Sequence, residues 1–370
     1  MPSSISSSKR LTAADRPGVA QPVPTRDVPD RAWPALLLAA VLLAAMLTGA
    51  WEWYWRAFGA VPGFRDDNAL WAQQRRRIDA GEGNATVLIG ASRTFFDVQL
   101  PVWNRLSGRR PIQLALDGTS PLFALEDLAN DPAFTGRLLI GVAPDIFFSG
   151  FEYNKGVARY FHKESPSQRV GKILSMQLVE PWLAFYDPDF ALLTVLRRQP
   201  WPQREGLNGH AVRKLSITEA DRNNYMWSKV ATDSSYRALV QDTWAEDFDD
   251  AVPSAQEAAE NQRILDEQIT RTAAAVARLR ARNIPVIFVR DPSAGAYLAY
   301  EDRAYPRRST WNVLLEKTKA PGIHFQDYPE LQGYDLPEWS HMTRASAERY
   351  TVALYGILER DYSPADGARW

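Results

Sequence analysis

The chain has no cysteine. That absence excludes a disulfide framework, a thiolate-ligated zinc or iron–sulfur centre and a cysteine nucleophile. Histidine is almost as scarce, with only four: His162, His210, His324 and His341. Any mechanism that needs an imidazole must therefore use one of these. Neither sign of charge is in excess, with 43 Lys plus Arg against 44 Asp plus Glu and a net charge of −1. Such a balance gives no field for a polyanion, and no basic run is interleaved with aromatics, so nucleic acid is not an expected partner. No HExxH, Walker A loop or GxGxxG occurs, which leaves metalloprotease, nucleotide and dinucleotide readings without support. Neither a metal nor a cofactor is expected, and no repeat of fixed period is visible.

What is present is enough for a packed core. The 370 residues are 45% hydrophobic and 24% charged, which suits one large domain or two ordinary ones. One long hydrophobic run stands out, Ala32–Trp51 (AWPALLLAAVLLAAMLTGAW). A helix of about twenty uncharged residues covers a hydrocarbon core of roughly 30 Å. Trp33 stands at one end and Trp51, Trp53, Tyr54 and Trp55 at the other, where amphipathic rings favour the two interfaces. Lys9, Arg10, Arg16, Arg26 and Arg31 precede the run, partly offset by Asp15, Asp27 and Asp30, and only Arg56 and Arg65 follow closely. The positive-inside rule then places the N-terminus in the cytoplasm and the body of the chain outside. A cleaved signal peptide would have a shorter apolar region behind a shorter leader, and a buried core helix would not carry the flanking tryptophans. An uncleaved single-pass anchor over 32–55 is expected.

Residues 1–31, rich in Ser, Pro and charge, read as a disordered cytoplasmic tail. Asp66–Ala80 reads as a polar helix carrying the domain away from the bilayer, within a linker over 56–84, and Gly81, Glu82, Gly83 and Asn84 break it. From about residue 85 to 360 the pattern alternates between strand and helix. Strands are expected at Thr86–Gly90, Pro111–Leu116, Arg137–Val142, Pro285–Arg290 and Gly322–Gln326. Helices are expected around Val98–Leu106 and over Pro121–Asn130, Ser254–Arg282 and Ala345–Leu358. The alternation implies a mainly parallel sheet with helices on both faces. The aromatic-rich stretch at about 145–252 fits no βα repeat and reads as a large insertion at the C-terminal edge of the third strand. Ligand sites of open α/β sheets lie at that edge; the insertion is either a lid or substrate wall, or packing with a membrane-facing piece. Residues 361–370 read as a tail.

Two features carry chemistry. Ser92 follows the first strand at once, in Gly90-Ala91-Ser92-Arg93-Thr94. A small residue before a serine at a strand-to-helix turn lets the hydroxyl project while backbone N–H groups face the same point. His341 closes Glu338-Trp339-Ser340-His341, just ahead of the last helix. A carboxylate three residues earlier can hold Nδ1–H and leave Nε2 free to take a proton. Parallel topology brings both segments to one sheet edge. Arg93 and Arg290 are candidate anion-binding groups, with a salt bridge as the competing role for Arg93. His162, His210 and His324 read as structural.

These residues resemble the SGNH (GDSL-like) hydrolase family. The strand-GASRT start is similar to its first block, in the subgroup with Gly-x-Ser-Arg-Thr that includes accessory proteins of alginate acetylation and teichoic-acid D-alanylation. Leu116-Asp117-Gly118-Thr119-Ser120-Pro121 resembles the second block, and Glu338 with His341 the last. The likeness covers Thr86–Asn130 and Ala274–Leu358. It implies a three-layer, flavodoxin-like α/β fold of SGNH hydrolase type with a large helical insertion and one N-terminal transmembrane helix. It further implies Ser92 as nucleophile, His341 as base, Glu338 as orienting acid, and the N–H groups of Ser92 and Gly118 as oxyanion donors. Two departures stand out. Glu338 replaces the usual aspartate, leaving Asp335 as an alternative acid, and Gly141-Val142-Ala143-Pro144-Asp145 lacks the third-block asparagine. Loss of one oxyanion donor costs on the order of a hundredfold in turnover.

The expected function is an extracytoplasmic serine esterase or O-acyltransferase in a bacterial inner membrane, with its main domain periplasmic. Its partners would be the bilayer, an acylated polysaccharide and a membrane-bound acyltransferase. The competing expectation is a catalytically degenerate envelope component that binds or assembles through the insertion.

Overall fold

A computed structural model of the chain describes residues 31–154, 156–198, 214–246, 248, 253–363 and 370. The N-terminal tail to residue 30, His210 and residues 364–369 of the closing tail lie outside them. The chain divides into two compact units, Met1–Trp51 and Glu52–Trp370. Helix α1 (Trp33–Phe58) begins in the first unit and ends in the second. It has 26 residues, its most apolar window has a mean hydropathy of 2.0, and none of that window is buried. It is long and apolar enough to span a membrane.

The second unit is α/β. Its strands are β1 (Thr86–Ile89), β2 (Ile112–Gln113), β3 (Arg137–Gly141), β4 (Ser216–Thr218), β5 (Asn224–Met226), β6 (Val286–Arg290) and β7 (Gly322–His324). Five of them form one sheet in the order β2-β1-β3-β6-β7, every pair parallel. Counted along the sheet strands alone this is the doubly wound order 2-1-3-4-5, whose switch point lies between β1 and β3. Hydrogen bonding outlasts β2, because Leu114 N–H donates to Leu88 O (2.8 Å) and Leu116 N–H to Gly90 O (3.0 Å).

Alternation of side chains across the pleat divides the core in two. Val87, Ile89, Leu138, Ile140, Val286 and Phe288 face one cluster. Leu88, Leu139, Ile287 and Val289 face the other. The first layer is covered by α2 (Asn68–Arg77), α5 (Leu122–Asn130), α12 (Ala255–Ala281) and α14 (Trp311–Thr318), and the second by α4 (Leu100–Ser107) and α15 (Arg344–Asp361). The long α12 starts at a capping box, in which Ser254 accepts from Glu257 N–H and Glu257 reaches back to Ser254 N–H; both orphan donors are thereby satisfied. It buries Ile269, Thr272, Ala275, Val276 and Leu279, spaced as one helical face requires.

The helix expected around Val98–Leu106 is two helices, α3 (Ser92–Asp97) and α4, separated by extended backbone at Val98 and Gln99. Between β3 and α12 lie α6 (Pro144–Ser149), α7 (Val157–Lys163), α8 (Pro166–Leu178), α9 (Leu192–Arg197), the antiparallel hairpin β4–β5, α10 (Ser228–Thr232) and α11 (Ser234–Glu246). The hairpin covers the β2 edge. Arg222, wholly buried, donates to Gln113 O and Ala115 O (both 2.9 Å) and pairs with Asp66. These are edge carbonyls that would otherwise lack partners. Helix α13 (Gly295–Ala304) follows β6.

The linker reading of Asp66–Ala80 is corrected. Helix α2 is not a spacer but part of the body, with Leu70, Trp71 and Ala72 buried. Trp71 Nε1–H donates to Leu114 O (3.0 Å), and Arg75 pairs with Asp127 (2.8 Å) and Asp131 (2.5 Å). The helix is polar in sequence because these charges are spent on ion pairs rather than on water. Trp71→Ala is expected to cost about 3–5 kcal/mol of unfolding free energy, read by chemical denaturation of the detergent-solubilised chain. A free spacer would show no change.

Candidate functional site

The site begins with how closely α3 approaches the sheet. Thr94 Oγ1 donates to Asp291 Oδ2 (2.8 Å), just beyond β6. A Cβ on Gly90 or Gly141 would collide with the Thr94 side chain. The two glycines that end β1 and β3 therefore let α3 settle onto the strand ends. Ala91 is extended and the helix begins at Ser92, which stays partly exposed. The other side chains of α3 tie it to its surroundings. Arg93 Nε–H donates to Ser340 Oγ (3.2 Å), Phe96 stacks on the His341 ring (centroids 4.2 Å apart, 27°), and Asp97 Oδ1 accepts Met342 N–H (3.0 Å). Ser92 lies one turn before Phe96 on the same short helix, and it is the Phe96 ring that meets the imidazole.

Glu338 organises the segment that carries His341, and both are buried. Glu338 Oε1 accepts from His341 Nδ1 (2.8 Å) and from His341 backbone N–H (2.6 Å). Its second oxygen accepts Trp244 Nε1–H at 2.6 Å. The network assigns the proton to Nδ1, and Nε2 is buried with no hydrogen-bond partner. The alternative acid, Asp335, is exposed, and its hydrogen bonds are made by its backbone to Ser346 and Thr343. The carboxylate that holds the imidazole is that of Glu338.

Gly118 sits in the turn after β2 with φ +54°. Its carbonyl accepts Tyr153 N–H (3.0 Å), Ser120 N–H donates to Phe151 O (2.7 Å), and Thr119 bridges Glu152. The insertion thus runs along this turn and leaves Phe151 and Tyr153 53% and 76% exposed beside Gly118. The turn is tied to the Ser92 strand by the Leu116 N–H to Gly90 O bond (3.0 Å).

Arg93 and Arg290 are drawn together, but onto a carboxylate of the protein. Arg93 Nη1 donates to Glu301 Oε1 and Arg290 Nη2 to Glu301 Oε2, each at 2.6 Å, and all three residues are buried. The salt-bridge role is the one seen at Arg93, and Arg290 has the same fate. Ser293 Oγ–H also donates to Glu301 Oε2 (2.6 Å). Burial disfavours charge on Glu301, but Arg290 and Arg93 outweigh it and hold its pKa below the usual carboxylate range. Asp145, just after β3, accepts from Tyr297 Oη–H (2.5 Å) through Oδ2 and leaves Oδ1 buried without a partner. Burial and the Glu301 charge push its pKa up. A cavity of about 20 Å³, room for roughly one water, lies behind this cluster among Arg290, Glu301, Tyr305 and His324 and touches neither Ser92 nor His341.

The other described histidines do different work. His324 Nδ1 accepts Gln326 N–H (3.3 Å), and burial with nearby Arg290 lowers its pKa to about 3, so it is a neutral cap. His162 is largely exposed and meets Asp127 at 3.2 Å. Sequence reasoning missed Phe96, Thr94 and Trp244. Phe96 was findable, being four residues after Ser92 on a short helix. Trp244 lies in the insertion, where no periodic pattern points to it.

Glu301→Gln leaves two buried guanidinium groups facing a neutral amide, which is expected to cost about 3–5 kcal/mol at neutral pH. Because the folded-state pKa of Glu301 is depressed, its contribution is present above the ordinary glutamate pKa and is lost as pH falls through the folded value. The gap between wild type and variant should therefore narrow on acidification; a gap independent of pH would contradict the ion-pair account.

No protein-family model matches this chain, and no curated protein matches it.

Proposed function

We propose that this chain is a membrane-anchored serine esterase or O-acyltransferase of the SGNH type, acting outside the cytoplasm of a bacterial cell on acyl groups of an envelope or exported polysaccharide. The observation that carries this reading is the state of His341. Several buried side-chain polar atoms among the described residues lack a partner, Asp145 Oδ1 among them, so what counts at His341 is which atom it is. Here it is the one ring nitrogen that a general base must keep free, while the other is held by a carboxylate itself held by Trp244.

In the proposed reaction Ser92 Oγ attacks the acyl carbonyl as Nε2 of His341 takes its proton. Glu338 fixes the Nδ1–H tautomer and stabilises the imidazolium. The N–H groups of Ser92 and Gly118 stabilise the oxyanion. Collapse expels the alcohol, which receives the proton from Nε2, and leaves an acyl-serine. Water or a sugar hydroxyl then attacks the ester and loses its proton to Nε2, which passes it to Ser92 Oγ as the acyl–oxygen bond breaks and the serine is restored. Phe151 and Tyr153, exposed beside Gly118, suit the stacking of a sugar ring. Arg93 and Arg290 support the fold of the site rather than bind substrate. A membrane-bound acyltransferase as acyl donor completes the proposal.

A second reading, a non-catalytic binding or assembly component, is favoured by two observations. His341 Nε2 makes no hydrogen bond to Ser92, and no asparagine follows β3. Catalytic hydrogen bonds are often long before substrate binds, so the first reading retains preference.

The full chain in detergent is expected to be labelled by a fluorophosphonate and to hydrolyse an aryl acetate. Ser92→Ala should abolish labelling and lower turnover by about a thousandfold or more, and Glu338→Gln should lower it by roughly 10²–10⁴ by favouring the wrong tautomer. Labelling and turnover unchanged in Ser92→Ala would refute the mechanism. Absence of both in the wild type would favour the second reading.

A further inference from the structure

Helix α8 is built inside out. Its only buried residue is Lys172. The stripe on the opposite side, Val170, Ile173, Leu174 and Leu178, is 55%, 45%, 49% and 68% exposed. The spacing i, i+3, i+4, i+8 is that of one helical face, and a surface helix of a globular protein turns such a face inward. The inversion is fixed by specific bonds. Lys172 Nζ donates to both oxygens of Glu180 (3.0 and 3.2 Å), to Arg65 O (3.1 Å) and to Asp67 (3.3 Å). Glu180 in turn accepts Ser175 Oγ–H (2.7 Å) and Arg65 N–H (2.9 Å). The sole charge between Val170 and Leu178 is thus locked inward and cannot rotate to cover the leucines. The chain that follows adds Trp182, Leu192 and Leu193, 67%, 53% and 66% exposed.

An exposed apolar helix face marks an interaction surface, and chain connectivity says what it meets. The segment after α8 is tied to residues that directly follow the apolar run of α1. Glu52 accepts Ala184 N–H and Phe185 N–H (both 2.9 Å), and Arg56 Nη2 donates to Trp182 O (2.9 Å). Trp53, 71% exposed, lies between them in sequence. Residues joined covalently to the end of a span cannot lie far from the bilayer surface, and exposed tryptophans favour that depth.

We propose that the exposed face of α8, with Trp182 and the leucines of α9, inserts into the headgroup–acyl boundary of the same bilayer that α1 crosses, as an interfacial docking surface. The proposal rests on the reading of α1 as a membrane span and goes beyond the esterase reading, which needs no lipid contact by the domain. It gives the insertion a role as a fixed foot that holds the body against the membrane.

The absence of cysteine makes the test direct, because each introduced thiol is the only one. The full chain is reconstituted into phosphatidylcholine vesicles as Leu174→Cys, Leu193→Cys, Leu42→Cys within α1 and Glu316→Cys on the exposed side of α14. Each carries an environment-sensitive fluorophore. Quenching by a lipid nitroxide-labelled near the headgroup, or near the acyl-chain end for position 42 at the middle of the span, is compared with quenching by aqueous iodide. Lipid quenching at positions 174 and 193 several-fold above that at 316, with weak iodide quenching, is the expected result. Strong iodide quenching at 174 and 193 while Leu42→Cys remains lipid-quenched overturns the docking surface and spares the anchor. Shielding of both positions from lipid and iodide alike identifies a protein partner or a second copy and also overturns it. Failure of lipid quenching at Leu42→Cys removes the anchor, and the proposal with it.

Discussion

Thr94 wedged between Gly90 and Gly141 sets the distance between α3 and the sheet, and the rest of the candidate site depends on that distance. With α3 seated on the strand ends, Arg93 points into the body toward Glu301, Phe96 lies against the His341 ring and Asp97 reaches the backbone of Met342. A methyl group at either glycine would lift α3 and slacken all three contacts together. The site is therefore specified twice, once by the backbone of β1 and β3 and once by side chains of a helix only six residues long.

Beneath the rim the domain buries much charge. Asp97, Asp145 and Asp291 are all raised from the ordinary carboxylate range, chiefly by burial, whereas Glu301 is lowered by its two arginines. These three acids accept hydrogen bonds from Met342, Tyr297, Thr94 and Tyr350, while Glu301 serves as the counter-ion that makes two buried guanidinium groups tolerable. Tyr350 Oη–H donates to Asp291 Oδ1 (2.7 Å) and so connects α15, the helix that follows His341, to the same acid that receives Thr94. Serine and histidine ends of the site thus share one polar floor.

The sheet was legible because its strands are short β-rich apolar runs bounded by Gly and Pro, and all five sheet strands fall within the expected segments. Helix α12 was legible for its length and period. The break between α3 and α4 was not, because Phe95, Phe96 and Val98 continue an apolar pattern through a bend that tertiary contacts impose. Asp66–Ala80 misled because polarity was taken for exposure, although Arg75 meets its carboxylates on α5 and just beyond it. The contact between Glu338 and His341 Nδ1 was legible, since three residues within one turn bring a carboxylate there. Trp244 was invisible, because it reaches Glu338 from an insertion of irregular order and only three-dimensional structure joins them. The inverted face of α8 was equally hidden, since the sequence period is that of any amphipathic helix and does not say which side faces out.

The proposed chemistry stands on one covalent event, acyl transfer to Ser92. The most direct measurement is peptide mapping by mass spectrometry after the full chain meets an aryl acetate and is quenched in acid during turnover. The account predicts an acetyl group on the peptide containing Ser92, at that residue, and none when His341 is replaced by alanine. Acetylation confined to lysines, or none at Ser92 under conditions of measurable turnover, would contradict it.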